Sequence, residues 1–150
     1  MVLWVLACCY SFSEEVKLTS PNHTTVYDDG YAEVPLQFVF PFYDKEFETS
    51  YMYTNGVVGF RNPQDFNNVE GHWCCEGRDL ATMAENKQEI SRYGYAIAPL
   101  WTDLIDLETG NSGLFAEGDT TQQTYRWKNL AEFYDATRLN TFELQIKSDG

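Results

Sequence analysis

The sequence is poor in positive charge. Ten Lys and Arg stand against 23 Asp and Glu, for a formal net charge of −13. Nucleic-acid binding needs clustered basic side chains to displace phosphate counterions. Here the basic residues are scattered, and acids outnumber them everywhere except near Arg126 and Lys128. Nucleic acid and anionic membrane surfaces are therefore poor partners. The plain consequence of the acidic surplus is solubility, and the sharper one is cation binding or docking onto a basic partner.

Catalytic signatures are also scarce. There are two histidines, His23 and His72. Nucleophilic catalysis needs a base beside Ser, Cys or Thr, and no Gly-x-Ser-x-Gly, phosphate loop or dinucleotide fingerprint is present. Carboxylates are so abundant that no one pair stands out for acid–base work. The expectation is a protein that is not an enzyme, with no catalytic residue and no cofactor. No apolar run approaches the roughly 20 residues that cross a bilayer, and there is no internal repeat or low-complexity segment.

The four cysteines form two adjacent pairs, Cys8-Cys9 and Cys74-Cys75. Adjacent cysteines rarely bond to each other, because the small ring strains the peptide between them. Cys74 and Cys75 are disulfide candidates or buried thiols, and the pairing stays open. With His72 they make a poor zinc set, since structural zinc wants ligands spaced by about two to four residues.

Met1 to Cys9 is almost wholly apolar and resembles a shortened secretory signal without its basic start. Val5-Leu6-Ala7-Cys8 loosely resembles a lipoprotein cleavage site. The expected setting is extracellular or secreted, with a virion or lipid-anchored surface protein as the alternative. The other reading of the segment is an apolar N-terminal strand. Asn22-His23-Thr24 is a glycosylation sequon, so Asn22 is a candidate acceptor in a eukaryotic secretory pathway.

What the sequence has in quantity is aromatic residues: ten Tyr, ten Phe and four Trp. That excludes a disordered chain and favours strands. Residues 1–12 read as the signal or apolar segment, 13–32 as a polar lead-in, and 33–150 as one β-rich domain. Val34, Leu36, Phe38 and Phe40 alternate onto one strand face, with Pro35 hinting at an edge and Pro41 ending the run. Asn55-Gly56 between two β-prone runs predicts a hairpin with both turn residues at positive φ. Asp79 to Ile90 reads as a short helix inside a long irregular loop. Tyr95 to Asp106 reads as a buried strand broken at Pro99. Gly113–Glu117 and Thr124–Leu130 are further strands. Thr141–Lys147 alternates, with Phe142, Leu144 and Ile146 inward. The fold class is mainly β, an antiparallel sheet or sandwich with one or two short helices in long loops. Asp149-Gly150 after an alternating strand is a hairpin signal. The expectation is that a last strand is missing and that the domain is incomplete, with a partner or further chain supplying that strand.

Asp103, Asp106 and Glu108 before Gly110-Asn111 form an acidic turn and are weak candidates for calcium, which takes about six to eight oxygens. The plainer reading is a solvated turn, as for Asp28-Asp29-Gly30. Trp73, Tyr93 and Tyr95 are candidate binding aromatics, against the plainer reading that they cover the core under the long loop.

Four stretches stand in order along the chain: Phe40-Pro41-Phe42-Tyr43, the hairpin Tyr53 to Phe60, Ile97-Ala98-Pro99-Leu100-Trp101-Thr102-Asp103, and a Trp127 strand followed by Asn140-Thr141-Phe142 and Asp149-Gly150. Together they resemble the nidogen-like (NIDO) extracellular domain. The resemblance covers roughly residues 36–150. Glu143 departs from the family's usual Gln, and Gly71 to Cys75 matches none of its motifs. The matching residues read as fold determinants: Asn55 and Gly56 make the turn, and Phe60 closes the hairpin motif. Pro99 and Trp101 set a bend and fill the core beside Asp103, and Trp127 and Phe142 are core aromatics. The resemblance implies a non-catalytic extracellular interaction module in cell–matrix adhesion, with matrix or cell-surface proteins as partners. The alternatives are a structural or attachment component of a viral or phage particle, bound to other subunits of its assembly, and a metal-binding module or enzyme.

Overall fold

Apolar residues spaced by two along the chain dictate strands with one buried face. The computed structural model describes residues 14–15, 27–63 and 95–150. Among them are ten strands and no α-helix: β1 Glu14–Glu15, β2 Tyr27–Asp28, β3 Tyr31–Phe42, β4 Lys45–Tyr53, β5 Val57–Gly59, β6 Ala96–Ile97, β7 Leu104–Asp106, β8 Gly113–Gly118, β9 Gln122–Glu132 and β10 Asp135–Lys147. The expected helix at 79–90 lies outside the described residues. No helix among them is long and apolar enough to cross a membrane.

All pairings are antiparallel and make two sheets. One has the order β3-β4-β5-β6. In the other, β9 carries β10 along one edge, and β8 and β7 in succession along the other. β1 flanks β8 and β2 flanks β7, so the polar lead-in supplies two short strands to this sheet.

The sheets pack face to face. Val34, Phe40, Met52, Val58 and Phe60 of one meet Leu104, Leu114, Tyr125, Trp127, Leu130 and Ile146 of the other. Fully buried Met52, Leu104, Leu114 and Leu130 each contribute about 1.5–3 kcal/mol. Trp127 stacks on Phe142 with centroids 4.7 Å apart.

Among the described residues, three buried hydrogen bonds pin one sheet to the other. The Trp127 indole N–H donates to the Tyr53 carbonyl at 2.8 Å. Ser50 and Tyr125 share a hydroxyl–hydroxyl bond of 2.7 Å. The Leu104 N–H donates to Asn55 Oδ1 at 2.7 Å. Each satisfies a buried polar group that would otherwise be costly to desolvate.

Several local expectations are corrected. β3 runs through Pro41 to Phe42, with Pro41 opposite Glu46. Among the described residues β3 pairs with β4 alone, and an edge tolerates a residue that lacks a ladder donor. Asn55-Gly56 does form a hairpin, but through a loop of Thr54, Asn55 and Gly56 between paired Tyr53 and Val57. Gly56 has φ +77 and Asn55 does not share that sign, because a type I turn followed by one left-handed residue closes a three-residue loop.

Tyr95–Asp106 is not one strand. β6 belongs to the first sheet and β7 to the second, so residues 98–103 carry the chain across. Ala98, Pro99 and Leu100 are exposed in that crossing, and Trp101 is half-buried against Tyr51, Tyr53 and Val57. Pro99 therefore sets the bend without filling the core. After β10 the Gly150 N–H donates to the Lys147 carbonyl at 3.1 Å, with Gly150 at φ +91.

Candidate functional site

Four segments meet at one end of the sandwich: the β2–β3 turn, the β4–β5 loop, the crossing before β7, and the β9–β10 turn. Hydrogen bonds fix them to one another. The backbone N–H and hydroxyl of Thr54 both donate to the Gly30 carbonyl, at 2.9 and 3.0 Å. Asn55 Nδ2 donates to Asp29 Oδ1 at 2.8 Å, while its Oδ1 holds Leu104. The Phe133 N–H donates to the Asp103 carbonyl at 3.0 Å. Asp29 sits at φ +53, a conformation that Asp and Asn tolerate better than other side chains with a Cβ.

This network brings together Asp28, Asp29 and Asp103, with one carboxylate oxygen from each lying within 4.8 Å of the others. Asp103 is 8% exposed, and Asp28 and Asp29 are half-buried. Among the described residues, Oδ1 of Asp28 is buried without a hydrogen-bond partner. Burial raises the Asp28 carboxyl to about 6, helped by the charges of Asp29 and Asp103 and opposed by a backbone hydrogen bond at Asp29. Burial also raises Asp29, against the hydrogen bond from Asn55. Such a cluster favours a proton or a cation. Calcium takes about six to eight oxygens, so backbone carbonyls or water would have to complete a shell around these three side chains.

Beside the cluster, the β9–β10 turn projects two aromatic rings. Tyr134 is 82% exposed and Phe133 46%, and the rings meet edge to face at 5.1 Å. Arg138 bridges the carboxylates flanking the turn, Glu132 at 3.6 Å and Asp135 at 3.2 Å.

Of the acidic residues singled out from sequence, Asp103 lies in the cluster. Asp106 and Glu108 do not. Oδ1 of Asp106 accepts from the Glu108 N–H at 2.9 Å and from the Ser112 hydroxyl, which closes the β7–β8 connection as a local turn. Of the candidate aromatics, Tyr95 is half-buried, packs on Phe47 at 5.3 Å and donates its hydroxyl to Asp44 at 2.7 Å. It latches the β3–β4 turn. That hydrogen bond is the first cause that lowers Asp44 and raises Tyr95 from their ordinary values. Trp73, Tyr93, Cys74, Cys75, His72 and Asn22 lie outside the described residues.

Sequence reading missed the partnership of Asp28 and Asp29 with Asp103, because only the sandwich brings positions so far apart together. It also missed Phe133 and Tyr134. Their turn carries no Gly, Pro or Asn, so no composition signal marks it. The exposure of Glu143 has a local reason: it pairs across the strands with Arg126.

The comparison with known families finds one whose description is NIDO related, matching residues 9–147. Neither curated proteins nor solved structures gave a match. The family match takes in all the described strands, β1 to β10. The chain therefore belongs to the NIDO-related family.

Proposed function

We propose that this chain is a non-catalytic protein-interaction module of the extracellular space, acting in cell–matrix adhesion. The observation that carries this reading is the exposed Phe133–Tyr134 turn mounted on the two longest strands of its sheet, β9 and β10. A rigid sheet that presents aromatic anchors loses little entropy when it binds. Family membership and the apolar Met1–Cys9 segment support the extracellular setting.

The test has two parts. Expressed with its own N-terminus in secreting cells, the chain is expected in the medium. Coated on a surface, it is expected to hold cells above the level of an albumin coat. A product retained inside the cells overturns the extracellular part, and a coat that holds no cells overturns the adhesive part.

A further inference from the structure

The surface through which such a module would bind can be narrowed. Phe133 and Tyr134 stand clear of the fold, yet they are tied to the carboxylate cluster through the Phe133–Asp103 backbone hydrogen bond. The segments that build this end are 27–30, 54–56, 100–103 and 132–138. Between them they carry Asp28, Asp29, Asp103, Glu132 and Asp135, against the single cation Arg138. That guanidinium is already shared between Glu132 and Asp135. Among the described residues the end is thus aromatic at its tip and anionic around it.

Resting on the interaction reading above, we propose that this end is the docking surface for an extended, basic segment of a partner protein, with Lys or Arg side chains laid over Tyr134 and Phe133 and held by the neighbouring carboxylates. Aromatic faces attract ammonium and guanidinium groups, and the half-buried carboxylates extend that attraction beyond the rings. An apolar partner fits less well, since it would strip water from the carboxylates with nothing to replace it. An anionic partner meets like charge. The second exposed aromatic turn, at Tyr43, differs in lying away from the carboxylate cluster: Tyr43 packs on Phe42 at 4.7 Å, and its neighbours Asp44 and Lys45 carry opposite charges. It serves as the internal control.

The probe is a fluorescein-labelled peptide of alternating Arg and Ser, with a second peptide in which Glu replaces Arg, titrated with the full chain and read by anisotropy. The Arg peptide is expected to bind and to weaken as salt is raised. Tyr134→Ala is expected to weaken it about three- to five-fold, Tyr134→Phe to keep it, and Tyr43→Ala to leave it unchanged. Equal binding of the two peptides overturns the proposal, and so do equal losses from Tyr134→Ala and Tyr43→Ala, which would leave only a diffuse effect of net charge. Cell adhesion separates this proposal from the broader one. If cells hold equally to wild type and Tyr134→Ala, the module is adhesive through another surface. If they hold to neither, the interaction reading itself fails.

Discussion

Asn55 holds Asp29 by an Nδ2–H···Oδ1 bond of 2.8 Å, and so a hairpin loop of one sheet anchors a carboxylate on the turn that leaves the other. The same side chain accepts from the Leu104 N–H through Oδ1. It is a neutral group set beside three carboxylates, and its neutrality matters as much as its shape.

Asn55→Asp keeps the shape and removes the donor. It adds a fourth charge to a cluster that already disfavours three. The expected loss at pH 7 is about 2–4 kcal/mol, measured by urea unfolding. Most of it is expected to return at pH 5, where the cluster takes up protons. A loss that is the same at both pH values would show that shape alone was disturbed.

The Asp28 carboxyl stands at about 6 in the folded chain, above the 3.8 of the free side chain. A raised carboxylate value means that the folded state binds its proton more tightly than the unfolded state does. Stability from this group therefore rises as pH falls from about 7 towards 4, and gains nothing further below that. Asp28→Asn is expected to be more stable than wild type at pH 7, with the gap closing by pH 4 to 5. Thermal midpoints for the two chains across that range check the sign.

Ser50 and Tyr125 share their buried hydroxyl bond in the middle of the sandwich. Ser50 also donates to the Val34 carbonyl at 3.1 Å. The site is dry enough to push the Tyr125 phenol well above its ordinary value, with burial as the main cause. Ser50→Ala leaves that phenol without this partner and is expected to cost about 1–3 kcal/mol. Tyr125→Phe in the Ser50→Ala background is expected to cost little more. A double-mutant cycle with no coupling would remove the pin from the account.

Gly56 is required twice over. Its φ is +77, and a Cβ built there would lie 1.8 Å from the Leu100 carbonyl oxygen. Gly56→Ala must both strain the loop and push back the chain where it crosses between sheets. The expected cost is about 2 kcal/mol or more. A melting point within a degree of wild type would show that the crossing yields freely.

Strands such as β3, β9 and β10 were legible because each depends on neighbours in sequence, whereas β1 and β2 lie in the polar lead-in and carried no such signal. Period-two alternation placed Phe142, Leu144 and Ile146 inward, and their partners Trp127, Tyr125 and Gln123 lie directly opposite. Asn55-Gly56 marked a hairpin for the same local reason. The end that holds the carboxylate cluster was only partly legible. Asp103 stood out as an acid, but its partners Asp28 and Asp29 read as a solvated turn, and the Asp106 chosen beside it belongs to a different one.

The sequence by itself determined a β-rich chain, its strand faces, its acidic surplus and its family resemblance, since all of these are set by residue type and by spacing within about ten positions. Only the tertiary structure decided that residues 98–103 cross between sheets, and that the Asp-Asp-Gly turn, the Asn55 loop and the Phe133–Tyr134 tip share one end. The physical reason is that sheet stacking and crossing depend on contacts between strands far apart in the chain, and no local pattern encodes them.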